Sequence, residues 1–117
     1  MKKTLATIEK CSVRKKAQTA LIQLNLIPWI LASLREPEKF HLYTLEYITA
    51  LLMNLALRTE GRKVCQDPEL EILKILITLL DVDNIEIRSH INGTLYSILA
   101  LPAIRAEAKV RDHFVQK

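Results

Sequence analysis

Apolar residues recur along this chain at intervals of three and four. Within 39–57, Leu45, Ile48, Leu52 and Leu55 step by three, four and three, which draws one apolar stripe down a helix. Within 84–100, Ile87, Ile91, Leu95 and Ile98 do the same. Between Glu69 and Leu80, residues Leu70, Ile72, Leu73, Ile75, Leu76, Ile77, Leu79 and Leu80 are apolar on nearly all sides. Such a helix is expected to lie sandwiched between neighbours. A strand over 72–80 is open to the β-branched isoleucines, but no period of two appears and the run is long for a strand.

The punctuation agrees with helices. Asp67-Pro68-Glu69-Leu70-Glu71 is a helix start, because Asp67 can cap free amides, Pro68 suits the first helical position and the two glutamates favour the positive end of the dipole. Asp83, with Glu86 three residues on, is a weaker capping pair. Gly61 is expected to end the helix before it, Pro37 to close the one ending near Leu34, and Pro102 to end or kink the one ending near Leu101. Pro28 divides 15–34 into two pieces, the first carrying Ala17, Leu21 and Leu24, the second Ile27, Ile30, Leu31 and Leu34 with Trp29. The predicted helices span 4–12, 15–24, 28–34, 39–57, 61–65, 68–80, 84–100 and 102–113. The order short, medium, long appears twice.

That order marks a repeat. Ile8 to Arg14, Leu52 to Arg58 and Leu95 to Leu101 superimpose at offsets of 44 and then 43 residues, with apolar residues at the first and fourth places of all three. The period falls in the range of armadillo and HEAT units, about 40–47 residues. Gly93 stands at the place of Ala50 and is read as the small residue that lets two helices approach closely. It also completes the sequon Asn92-Gly93-Thr94, which is expected to go unused.

Tyr43-Thr44-Leu45-Glu46-Tyr47-Ile48-Thr49-Ala50-Leu51-Leu52-Met53-Asn54-Leu55, and Asn92 to Leu99 followed by Pro102-Ala103-Ile104-Arg105, resemble the armadillo region of the LisH domain-containing armadillo repeat-containing protein nine family. Ser12-Val13-Arg14, Gln18 to Ile22 and Leu26-Ile27 fit that family's preceding repeat. The resemblance covers roughly 5–108. It implies an all-α, armadillo-type α-solenoid of about two repeats plus partial helices at both ends. The expected organisation is a single helical domain over 1–117, with repeat boundaries 1–13, 14–58, 59–101 and 102–117. On this reading the chain opens inside a third helix, closes inside a first one and carries neither a LisH segment nor a coiled coil, as a fragment, isoform or short paralogue would. The resemblance further implies a component of the ciliary basal body and centriole, needed for cilium assembly and ciliary signalling, with basal-body or ciliary proteins as partners.

An armadillo array lines its concave face with third helices. In peptide-binding members a ladder of Asn side chains holds the partner's backbone. Here the ladder places are Lys10, Asn54 and Ser97, so one Asn remains of three and sequence-independent clamping is expected to be weak or absent. Asn54 with Arg58 can still meet a partner's backbone and acidic group; equally, Asn54 can be a polar helix-end residue satisfying its own neighbours. Trp29 can be an interface anchor but is read in preference as core, and Tyr43, Tyr47 and Tyr96 as core or groove-lining. Each cut end of the solenoid, Ile8/Cys11 and Ile104/Val110, is expected to expose apolar surface and so to promote self-association.

Composition narrows the alternatives. The chain has 117 residues, half of them hydrophobic and 26% charged, with 2 Gly, 4 Pro and 2 Cys. That fits one packed domain and leaves no Gly-rich phosphate loop and no disulfide framework. No uninterrupted apolar run reaches membrane-spanning length, and Glu9, Lys10 and Arg14 interrupt any secretory leader behind Met1. A cytoplasmic location with reduced thiols is therefore expected. The net charge of +4 is uneven: 1–35 carries seven Lys/Arg against Glu9, while 36–117 carries ten against twelve acids. The runner-up reading is thus an electrostatic binder of nucleic acid or an anionic surface through the basic N-terminal segment. It is disfavoured because no aromatic residues interleave with Lys2, Lys3, Lys10, Arg14, Lys15 and Lys16 to stack bases. His41, His90 and His113 sit in no ligand spacing, and neither Cys11 nor Cys65 has a second Cys nearby, so no metal, no cofactor and no catalytic residue is expected. Cys11 is read as a small hydrophobe.

Overall fold

The computed structural model describes residues 6–8, 10 and 14–115, with side chains through residue 110, and among them there is no strand. The elements are α1 (Lys15–Gln23), α2 (Leu26–Leu34), a 3-10 turn (Pro37–Lys39), α3 (Leu42–Leu55), α4 (Thr59–Cys65), a second 3-10 turn (Pro68–Leu70), α5 (Ile72–Leu79), α6 (Ile85–Ile98) and α7 (Pro102–Val115). Two trios follow one another, α1–α2–α3 and α4–α5–α6, and α7 opens where a further first helix would. The predicted helix over 4–12, with Glu9 and Cys11, lies largely outside the described residues, as do Lys2, Lys3 and the side chain of His113.

The core is one continuous seam. Leu45, Ile48, Leu52 and Leu55 of α3 and Ile87, Ile91 and Ile98 of α6 are buried together with Ile27, Ile30, Leu31 and Leu34 of α2 and Ile72, Leu73, Ile75, Leu76 and Leu79 of α5. Each such side chain contributes about 1.5–3 kcal/mol by leaving water. The most extensive pairing is α3 against α6, the two third helices.

Several expectations shift by a turn, each for a local reason. Helix α2 starts at Leu26, not at Pro28, since Pro28 falls in the first turn where its missing N–H has no intrahelical acceptor to lose. The bend between α1 and α2 is Asn25, in the left-handed region at φ 60°, a conformation Asn tolerates at a helix end. The predicted helix over 68–80 is split into a 3-10 turn and a later α-helix, and the long one over 39–57 starts only at Leu42, after a 3-10 turn that ends at Lys39. Asp67 does cap, its side chain accepting from Glu69 N–H at 3.0 Å. The left-handed Glu71 (φ 52°) is held by Arg35, which donates to Glu71 Oε1 at 3.1 Å and to the Leu70 carbonyl at 3.0 Å. The cap of α6 is Asn84 rather than Asp83: Asn84 Oδ1 accepts from Ile87 N–H at 2.9 Å.

Phase corrects three further readings. Trp29 is 43% exposed, because the buried stripe of α2 runs through 27, 30, 31 and 34 and leaves position 29 on the far side. Leu24 lies past the end of α1 and is exposed; Gln18 and Ile22 are buried there instead. Ile77 emerges from the otherwise buried α5. Of the residues expected to expose an apolar end, Ile104 is 3% exposed and packs into the core, whereas Val110 is exposed and Ile8 is half-buried against the core.

The glycines differ in role. Gly61 does not end a helix; it lies buried inside α4, where a Cβ would stand 2.0 Å from the Leu55 carbonyl oxygen. Gly93 keeps its predicted packing role: a Cβ there would meet Met53 Sδ at 2.7 Å, so the small residue leaves room for the Met53 side chain between α3 and α6.

Candidate interaction surface

Three contacts fix how the third helices sit. Asn84 Nδ2 donates to Glu46 Oε1 at 3.0 Å, Thr49 Oγ1 lies 3.0 Å from His90 Nδ1, and Met53 sits over Gly93. The contacts advance in the same direction along both helices, so α3 and α6 run parallel. Between them opens a notch of about 200 Å³ lined by Glu46, Tyr47, Ala50, Glu86 and His90.

The notch has a defined chemistry. Thr49 buries its hydroxyl and donates its single hydrogen to the Leu45 carbonyl at 2.7 Å, so towards His90 it can only accept. His90 therefore donates through Nδ1–H, which fixes the orientation of its ring. Tyr43 and Tyr47 meet edge to face with ring centroids 5.1 Å apart and hydroxyl oxygens 2.9 Å apart. Tyr47 thus lines the notch while Tyr43 is exposed beside it; Tyr96, 86% exposed on α6, belongs to neither core nor notch. Sequence reasoning missed Glu46, Glu86 and His90. The signal was available in the offset of 43 residues, which sets Glu86 at the place of Tyr43 and His90 at the place of Tyr47.

The four residues singled out from sequence are distributed along the same succession of units. Asn54 lies in the last turn of α3 and is 8% exposed. Arg58 follows at the N-cap of α4, half-buried, with a buried Nε that meets no acceptor among the described residues. Ser97 holds the corresponding place in the last turn of α6 and is half-buried, while Lys10 is exposed on a preceding helical residue. Asn54 and Arg58 are therefore neighbours in one helix junction, and Ser97 stands one unit away.

The same junctions carry a pair of arginines not anticipated from sequence. Arg62 of α4 donates through Nη1 to the Ala56 and Leu57 carbonyls at 3.3 and 3.1 Å. Arg105 of α7 donates through Nε and Nη2 to the Leu99 and Ala100 carbonyls at 3.1 and 3.0 Å. In each unit a first-helix Arg caps the C-terminal end of the preceding third helix, where a cation is favoured by both the free carbonyls and the dipole.

Other chemistry is sparse. Cys65 is buried, and burial pushes its thiol up to about 12, which makes it a poor nucleophile. Among the described residues no three His, Cys, Asp or Glu side chains converge to hold a metal ion. The basic residues Arg14, Lys15 and Lys16 are exposed around the start of α1. No single described helix is long and apolar enough to cross a membrane. Only α1 and α2 taken together pass that test; they are bent by 77°, and the apolar face of α2 is spent on the core.

Comparison with known proteins places these features. The sequence model of the family described as "LisH domain-containing protein ARMC9, ARM repeats" matches residues 21–114. Curated relatives of the name LisH domain-containing protein ARMC9 are 48% identical in Xenopus laevis, 48% in Danio rerio and 47% in Homo sapiens, each over 90% of this chain and 13% of the relative. The chain thus spans about one-eighth of the length of these relatives. No solved structure matches it.

Proposed function

The chain belongs to the family of armadillo-repeat regions of LisH domain-containing protein ARMC9, and from that membership we propose a non-catalytic scaffold that holds another protein at the ciliary base. The fold is all-α and of armadillo type, and an array of this type is a repeat-based protein-interaction scaffold. The observation that carries the reading is the parallel seating of α3 and α6, which leaves a polar, aromatic-edged notch open between two third helices. At the C-terminal end of α3, the half-buried Arg58 side chain supplies a cation and guanidinium donors for a partner's carboxylate or carbonyl. Assignment to the basal body and centriole, and a part in cilium assembly and ciliary signalling, rest on the resemblance to the family.

The test is direct binding to purified basal-body proteins at moderate salt. A complex weakened by Asn54→Ala or Arg58→Ala supports the reading. Binding to none of them contradicts it, and binding indifferent to both substitutions and lost steeply with salt favours the electrostatic alternative through the basic segment 1–16. In ciliated cells the tagged chain is expected at the cilium base; a diffuse distribution contradicts the location.

A further inference from the structure

We propose that Thr59 is a phosphorylation site for a protein kinase that reads basic residues on both sides of its target, and that Arg58, Arg62 and Lys63 hold the resulting phosphate. The inference rests on reading the junction of α3 and α4 as a partner-binding surface and adds what regulates it.

The sequence there is Leu57-Arg58-Thr59-Glu60-Gly61-Arg62-Lys63. One cation stands immediately before the hydroxyl, and two stand three and four residues after it. Kinases choose targets by such charge patterns. The fold also presents the hydroxyl. Thr59 is exposed and is the first residue of α4. Residues 56–58 before it belong to no helix, and Arg58 is already extended, at φ −90° and ψ 144°. For the segment to extend into a kinase, only the first turn of α4 must open. Every other serine and threonine within 15–110 lies deeper inside a helix, and Thr49 and Thr94 are buried.

The surroundings suit a phosphate. Residues three and four apart share a helix face, which sets Arg62 and Lys63 beside Thr59. Arg62 already turns that way: its Nη2 lies 3.5 Å from Thr59 Oγ1, while its Nη1 donates to the Ala56 and Leu57 carbonyls. The planar fork can keep those carbonyls with one nitrogen and meet a phosphate oxygen with the other. Among the described residues none of Arg58, Arg62 and Lys63 forms an ion pair. A phosphate brings about two negative charges and three strong acceptors to them.

In the transfer the γ-phosphorus of magnesium ATP bonds to Thr59 Oγ1 as its bond to the β–γ bridging oxygen breaks. The hydroxyl proton passes to the kinase's base, and ADP leaves. The phosphate then competes with a partner's carboxylate for Arg58, so the modification weakens the complex proposed above.

The experiment incubates the full chain with magnesium ATP and the purified catalytic domain of protein kinase C, maps phosphate by tandem mass spectrometry and titrates it by phosphorus NMR. The expected product carries phosphate on Thr59 and is absent from Thr59→Val. The initial rate falls at least about tenfold in Arg58→Gln/Arg62→Gln. The second acid dissociation constant of the phosphate is at least about threefold larger in the folded chain than in urea, because nearby cations favour the dianion, and Arg62→Gln loses most of that difference. Circular dichroism reports that each variant remains folded. No phosphate on Thr59, a rate indifferent to the two arginines, or one dissociation constant for folded and unfolded chain overturns the inference. These measurements involve no partner, so the site can fail while the scaffold reading stands, and the reverse.

Discussion

Gly61→Ala tests the closer of the two glycine contacts, one made with backbone. Both glycines lie in helices, and replacing a helical Gly by Ala is worth about 1 kcal/mol in helix propensity. At Gly93 the added methyl meets Met53 Sδ and Cγ at 2.7 and 3.1 Å. These atoms end a flexible side chain, which can turn aside at small cost. At Gly61 it meets the Leu55 carbonyl oxygen at 2.0 Å and the carbonyl carbon at 3.0 Å. Both are backbone, and both belong to the last turn of α3. The junction must open by about 1 Å or more, and doing so pulls on the Arg62 bonds to the Ala56 and Leu57 carbonyls. Overpacking of a tight site costs about 1–3 kcal/mol and more where the backbone must move. After subtraction of the propensity gain, Gly61→Ala is expected to destabilise by about 2 kcal/mol, while Gly93→Ala stays within about 1 kcal/mol of the parent. Urea unfolding with unchanged slope gives the difference directly, and a melt should show Gly61→Ala lower by about 6–12 °C. A Gly61→Ala variant as stable as the parent, or no worse than Gly93→Ala, refutes the argument from close approach.

Asn84→Ala removes both the cap of α6 and the tie to Glu46, and should cost about 1–2 kcal/mol in urea unfolding; a neutral result means that the cap carries little. Arg62→Ala should cost about 1 kcal/mol through the freed carbonyls at the end of α3, and Arg62→Lys should recover only part of it; full rescue by Lys points to charge alone. Cys65 has its folded-state thiol raised from an ordinary 9.0 to about 12 by burial, so the folded state prefers the neutral form. Stability relative to Cys65→Ala should therefore be flat below about pH 9 and fall as pH rises from there towards 12, and thiol labelling at pH 8 should proceed only through unfolding. Rapid labelling of the native protein contradicts that burial.

The repeat was legible because its signal is periodic and internal. Leu45, Ile48, Leu52 and Leu55 announce the buried face of α3 by spacing alone, and the offset of 43 residues aligns it with α6. What could not be read depended on phase or on three-dimensional juxtaposition. Trp29 is as apolar as its neighbours, and only the rotation of α2 puts it outside. Gly61 resembles a helix stop in sequence, whereas its role is set by a carbonyl six residues earlier that folds back onto it. Asp83 and Asn84 are adjacent capping residues, and Asn84 prevails in the fold, where its amide also reaches Glu46 across the unit boundary. The notch escaped the sequence for the same reason: Glu46, Tyr47, Glu86 and His90 are ordinary helix-surface residues until two helices 43 residues apart lie parallel. That Asn54 and Arg58 lie near one another was legible because they sit in one junction, where chain proximity and spatial proximity coincide.

The central claim is that two three-helix units stack in register, with the third helix of one seated on the third helix of the other. A methyl-detected NOESY spectrum of methionine-methyl-labelled protein tests it most directly. The account predicts a cross-peak, of whatever strength, between the Met53 methyl group and protons of α6 around Gly93, whose nearest neighbours are Met53 Sδ and Cγ. A well-dispersed helical spectrum in which Met53 instead contacts residues outside α6, with no Gly93 cross-peak, contradicts it.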